Sequence, residues 1–270
     1  MSVAAAESNS RLRLFDTHCH LDLPELASSQ DAIWQQAQAA GVAALLIPAV
    51  EARAWPNLLK LQALHPYWHI ALGIHPWWAA SYTLTSVDTL ELLLSQHSDA
   101  VCAVGEIGLD FMLPTDTFAQ QQLLFSAQLA VAARYNKPVV LHHRKSQPQL
   151  LAALKQQQFN QGGILHAFSG SQQQAHAFIE QGFKLGIGGT ITYERAGKTR
   201  NSIRKLPLSC LVLETDAPAM PLSGFQGQVN TPAQLVAVFN VLCQLRSEPR
   251  EQIAAQLWQN SVDVLRLRVT

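Results

Sequence analysis

Two histidines, His18 and His20, stand two residues apart at the end of the apolar run Leu12-Arg13-Leu14-Phe15. On a β-strand, residues i and i+2 face the same side, so both rings would enter one space. Neutral imidazole is the commonest protein ligand for a metal, and two on one face make half of a divalent-cation site. Further titratable residues close later apolar runs: His75 in Gly73-Ile-His-Pro76, Glu106 and Asp110 in Gly105-Glu-Ile-Gly-Leu-Asp110, and His142-His143-Arg144. His166 and Ser169 follow in His166-Ala-Phe-Ser-Gly170, then Glu214 and Asp216 in Glu214-Thr-Asp-Ala-Pro218. Taken singly, each has a plain reading: a hydrogen-bonded histidine in the core, or a carboxylate capping a helix or closing a turn. Four histidines and two carboxylates at corresponding strand ends are another matter. A buried carboxylate without a partner costs about 1–3 kcal/mol or more, so a site that concentrates them needs cations. The set reads as a divalent-metal site. Nitrogen and oxygen donors without thiolate suit zinc, manganese or magnesium alike.

The elements that must position these residues alternate along the chain. Strands are expected over Leu12–Asp16, Ala43–Pro48, Trp68–Gly73, Val101–Gly105, Pro138–His142, Gly163–His166, Phe183–Gly188 and Cys210–Leu213. Helical patterns lie between them: Ser29–Ala40, Ala52–Leu64, Val87–Gln96, Phe118–Tyr135, Gln147–Gln157 and Gln172–Gln181. Thr231–Leu245, with Thr231 as N-cap and Pro232 at the first helical position, and Pro249–Leu265 complete the set. Strand–helix alternation implies βαβ units and a parallel sheet, and eight repeats without a linker favour a closed (β/α)8 TIM-type barrel. In such a barrel the active site forms at the C-terminal ends of the strands, where the titratable residues collect. Glutamine clusters at Gln120–Gln122, Gln156–Gln158 and Gln172–Gln174 read as solvated helix faces. Strand alternation turns Cys19 away from the site, as a structural residue.

The chain has 270 residues, 48% hydrophobic and 14% charged, enough apolar content for a large core. Lysine plus arginine equals aspartate plus glutamate at 19 each, so any nucleic-acid partner depends on a local patch or on metal. Four scattered cysteines without Cys-x-x-Cys spacing read as reduced thiols of a cytoplasmic protein. No apolar run is long enough to span a membrane, and no glycine-rich fingerprint marks a nucleotide cofactor. Residues 1–11 are expected as a flexible tail and 12–270 as one barrel domain, in a monomer.

The run Phe15-Asp-Thr-His18-Cys-His20-Leu-Asp22, with Gly73-Ile-His-Pro76, Val104-Gly-Glu106-Ile-Gly-Leu-Asp110, Leu165-His-Ala-Phe-Ser-Gly170 and Glu214-Thr-Asp216-Ala-Pro218, resembles the TatD family of metal-dependent hydrolases, which are amidohydrolase-like barrels. Gly188-Gly-Thr-Ile-Thr-Tyr193 and Met220-Pro-Leu-Ser-Gly-Phe-Gln-Gly227 are similar to its YjjV-like subgroup. The resemblance runs from Phe15 to about Leu265. It implies a hydrolase with two divalent ions, a deoxyribonuclease that cleaves phosphodiester bonds at nucleic-acid ends with a metal-activated water. His18, His20 and Asp216 would hold one ion, Glu106 would bridge to a second, and His142 and His166 would complete the second site. Asp216 and Glu106 would be the catalytic carboxylates, with Asp216 as general base. His75, Arg144 and Ser169 are candidates for substrate contact. Arg144 suits a phosphate clamp or an ion pair with Glu214 or Asp110, and His75 equally suits a loop-stabilising role. Many relatives carry a second histidine after the His-Pro pair, where this chain has Trp77-Trp78, available for stacking or packing. The alternative substrate is a small ester, amide or lactone. A metal-binding protein without catalysis is a third reading, disfavoured by the complete ligand set.

Overall fold

The computed structural model describes residues 13–268; the expected tail over residues 1–11 lies outside them, as does Leu12 of the first expected strand. Eight strands, β1 (Leu14–Asp16), β2 (Val42–Pro48), β3 (Trp68–Leu72), β4 (Val101–Asp110), β5 (Val139–Arg144), β6 (Gly163–Leu165), β7 (Phe183–Ile187) and β8 (Leu211–Leu213), pair in parallel in sequence order. The two edges then meet. Thr17 N donates to Leu213 O at 2.8 Å, Asp216 N to His18 O at 2.8 Å, and His20 N to Ala217 O at 2.7 Å. The result is a nearly closed (β/α)8 barrel with helices between successive strands.

Strands covered on both faces read as near-continuous apolar runs, and β2 shows why. Leu45 and Ile47 join the layer under the helices, whereas Ala44 and Leu46 turn into the barrel with Phe15, Ala71, Ala103, Val140, Ile164 and Val212. Val264 and Leu265, at the end of the helix Arg250–Val264, cover that inner cluster. The opposite end of the barrel carries the polar groups. Among the described residues no helix is long and apolar enough to cross a membrane.

Most expected elements recur within a residue or two, and the departures have physical causes. β4 continues five residues past Gly105, because it pairs with β5 as far as Asp110 and Arg144. Thr231 makes no side-chain cap; a 3-10 turn, Pro232–Gln234, precedes the helix Leu235–Leu245, and Asn230 Oδ1 accepts the Thr231 N–H at 2.9 Å. The helix Gly197–Lys205 was not expected, since its polar sequence lacks an apolar stripe beyond Ile203.

The glutamine reading also needs correction. On the helix Phe118–Arg134, Gln121 and Gln128 are buried, seven residues apart on one helix face. Gln121 accepts from Asp110 N at 2.8 Å and donates to Asp110 O at 3.1 Å. Gln128 accepts from Ile74 N at 2.7 Å and donates to Ile74 O at 3.3 Å. Each amide completes a backbone that has run out of strand partners, and each holds a segment that carries a site residue. Replacing Gln128 by leucine strands both groups of Ile74, at about 1–3 kcal/mol each. We expect urea unfolding of Gln128→Leu to show a loss of about 2–4 kcal/mol, against no measurable change for Gln122→Leu on the exposed face.

Candidate metal centre

A bulge sets the centre of the site. Between Val104 and Ile107, β4 advances three residues while β5 advances only two, from Val139 to Leu141. Val104 and Ile107 both keep to the outer apolar layer, so the extra residue lets Glu106 point inward. Around it converge side chains from the ends of β1, β3, β5, β6 and β8. His18 Nε2 lies 3.1 Å from Glu106 Oε2, 3.0 Å from His20 Nε2 and 3.7 Å from Asp216 Oδ1. His20 Nε2 lies 3.6 Å from Glu106 Oε2 and 3.5 Å from Asp216 Oδ1. On the other carboxylate oxygen, Glu106 Oε1 meets His142 Nδ1 at 3.1 Å and His75 Nε2 at 3.6 Å. His166 Nε2 reaches Asp216 Oδ2 at 3.7 Å. Asp216 sits in the left-handed region at φ 56°, a conformation that aspartate tolerates better than most residues.

The hydrogen bonds on the far side of each ring fix which nitrogen is free to ligate. His20 Nδ1 lies 3.1 Å from Pro48 O, which can only accept, so this nitrogen carries a proton and Nε2 offers its lone pair to the site. His142 is turned the other way: Nε2 donates to Asp110 Oδ2 at 3.2 Å and Nδ1 faces Glu106. His75 differs in kind. Trp77 N donates to its Nδ1 at 3.1 Å, and burial drives the ring's pKa down to about 3. The neutral ring therefore keeps its proton on Nε2 and presents a donor, not a lone pair.

The charges need cations. Burial opposes ionisation of Glu106 and Asp216, but the surrounding imidazoles outweigh it and hold both carboxyls well below their usual range. Burial likewise opposes the charged forms of His20, His142 and His166, yet neighbouring carboxylates raise all three. His18 is lowered, by burial and then by the His166 charge, and the two rings stack at 3.6 Å. Two imidazole nitrogens 3.0 Å apart need either a proton held between their lone pairs or a cation that both can ligate. The donor set fits divalent metal on that ground. Three groups have a ligand atom from each member within 4.8 Å of the others: His18, His20 and Asp216; His75, Glu106 and His142; and His18, His166 and Glu214. The first is the expected trio. The expected second set divides, with His142 beside Glu106 and His166 beside Asp216 and Glu214.

Two residues without an expected role support the ligands. Asp110 accepts from Met112 N at 2.9 Å and Trp77 Nε1 at 3.1 Å as well as from His142, contacts that outweigh burial and bring its pKa to about 2. Glu214 accepts from Ala167 N at 2.6 Å and stands 3.0 Å from His166 Nδ1. Both belong to motifs legible in the sequence, but nothing there says which ring each would orient. Arg144 lies 3.8 Å from Asp110 Oδ2 and away from Glu214, its side chain 53% exposed. Arg144, His75, Ser169 and Trp77 line a cavity of about 800 Å³ with the clustered imidazoles and carboxylates at its floor. The two tryptophans separate: Trp77 is 58% exposed at the rim, whereas Trp78 packs against the core under Arg53. Cys19 is buried in the apolar layer, as alternation required.

The family model described as TatD related DNase matches residues 15–266. A protein of Escherichia coli K12 named "Uncharacterized metal-dependent hydrolase YjjV" is 46% identical over 92% of this chain and 96% of its own. A Pantoea vagans protein named "3'-5' ssDNA/RNA exonuclease TatD" is 31% identical over 94% of this chain and all of its own. The crystal structure of the Escherichia coli YjjV protein, a TatD homologue, superposes with a TM-score of 0.90 at 44% identity, covering 94% of this chain and 98% of that one.

Raised histidine pKa values mean that the metal-free site carries protons near neutral pH, and a divalent ion must displace them. Titration calorimetry with zinc or manganese in buffers of different ionisation enthalpy should therefore report proton release at pH 7. Apparent affinity should rise with pH through neutrality; an affinity flat from pH 6 to 8 would contradict the protonation pattern.

Proposed function

The chain belongs to the TatD-related DNase family of metal-dependent hydrolases, and on that premise we propose that it hydrolyses phosphodiester bonds at the ends of single-stranded nucleic acid, DNA in preference. The observation that carries this reading is the floor of the cavity. There, imidazoles and ionised carboxylates converge beneath a guanidinium and an exposed indole. A relative 31% identical carries a single-strand exonuclease name, which supports the substrate class.

In this reading His18, His20 and Asp216 would hold one divalent ion, and Glu106, His142 and His166 would supply donors for a second. Bound divalent ions supply Lewis acidity, lowering the pKa of water and offsetting charge on a phosphoryl group. Asp216, held ionised by the imidazoles around it, accepts the proton of the attacking water. The Nε2–H of His75 and the exposed N–H groups of Arg144 bind phosphoryl oxygens. Asp110 keeps His142 turned, and Glu214 does the same for His166. Trp77, anchored through its indole N–H to Asp110, offers its ring to a base, a contact worth about 1–3 kcal/mol.

Activity on a short single-stranded DNA should vanish on chelation and return when zinc, manganese or magnesium is added back. Asp216→Asn should lower kcat at least about 100-fold while its circular dichroism matches the parent; near-full rate would remove Asp216 from the role of base. A panel pairing an aryl phosphodiester with an aryl carboxyl ester and a lactone checks the bond. Preference for either carboxyl substrate would overturn the phosphodiester reading.

A further inference from the structure

The chain is neutral overall, yet its charge is not evenly spread. Residues 195–205 hold Arg195, Lys198, Arg200, Arg204 and Lys205 and no aspartate or glutamate, five of the chain's 19 cationic side chains. This segment contains the helix Gly197–Lys205 and the two residues before it. A second cavity of about 380 Å³ is lined by Thr190, Tyr193, Arg195, Ala196, Met220 and Pro221. Thr190 and Met220 also line the cavity above the clustered imidazoles and carboxylates, so the two cavities are neighbours that share a wall. The second cavity contains none of the proposed catalytic or metal-binding residues.

Its walls are built. The Tyr193 hydroxyl donates to Pro221 O at 2.7 Å, fixing the ring, and the Arg195 guanidinium lies over that ring at 4.8 Å. Among the described residues Arg195 has no ion-pair partner, although Glu194 adjoins it. A guanidinium held on an aromatic face keeps its N–H edge free for an anion. Arg200 is committed to structure, donating to Ile191 O at 2.8 Å in the turn that carries Thr190. Lys198, Arg204 and Lys205 are exposed, and the helix carries the charge about 10 Å beyond the cavity.

We propose that the Tyr193–Arg195 cavity and the basic helix behind it form a track for the phosphate backbone of a single-stranded nucleic acid whose end lies at the metal centre. The proposal rests on the phosphodiesterase reading for the direction of the strand. The track explains how a neutral chain holds a polyanion: the attraction is local, and it lies on the side of the cavity across Met220. A mononucleotide ester would not reach it.

The test separates the track from the chemistry. A fluorescent single-stranded oligothymidylate with phosphorothioate linkages is titrated with the metal-loaded protein, and its anisotropy is followed at several salt concentrations. The Arg195→Ala, Lys198→Ala double variant should weaken binding roughly tenfold and flatten the salt dependence by about 0.7 in log–log slope for each phosphate that it no longer neutralises. Arg195→Lys should retain most of the affinity, and hydrolysis of bis(p-nitrophenyl) phosphate should be unchanged in every variant. Unchanged affinity and slope in the double variant, or no binding by the parent, would overturn the track. Binding that responds to the variants in a protein unable to hydrolyse the small diester would uphold the track and overturn the phosphodiesterase reading.

Discussion

A buried glutamate that must stay charged organises this molecule. Glu106 is 2% exposed, and four imidazoles, those of His18, His20, His75 and His142, come within 3.6 Å of its two oxygens. Removing a carboxylate from water without cations is so unfavourable that the group would neutralise instead. The fold answers by delivering nitrogen donors from three separated strand ends to one point. The same crowding obliges those donors to carry protons or metal, and so the electrostatic problem and the chemistry are one arrangement.

Holding that arrangement requires a layer that never touches the reacting space. Asp110 and Glu214 turn His142 and His166, and Gln121 and Gln128 fasten the segments carrying Asp110 and His75 to a helix. Space is part of the same provision. A Cβ on Gly186 would lie 2.0 Å from Glu214 Oε2, so β7 needs a glycine there for Glu214 to enter. The opposite end of the barrel carries none of this and is filled by Phe15, alanines and branched aliphatic residues under the last helix.

The fold was largely legible because its signals are local. Short apolar runs such as Ala43–Pro48 and Phe183–Gly188 must be covered on both faces, and the amphipathic segments between them supply the cover. Elements whose stability is tertiary escaped. The helix Gly197–Lys205 has almost no apolar face and is held by what it packs on. Gln121 looked solvated because its neighbours Gln120 and Gln122 are polar, and only the packed helix shows it facing inward.

By itself the sequence determined which groups gather at the strand ends, because in a parallel barrel the chain's own order and alternation place them there. It also determined the chemical type of the site, nitrogen and oxygen donors with an excess of buried charge. It did not determine which ring faces which carboxylate. That depended on the β4 bulge that re-aims Glu106, on the Trp77 amide that gives His75 its proton on Nε2, and on Glu214 drawing His166 toward Asp216. The first is a single-residue shift in register, the second depends on the turn that follows β3, and the third is a contact between residues far apart in sequence. Local patterns fix the period of a strand, whereas only closure of the barrel fixes the distances across it.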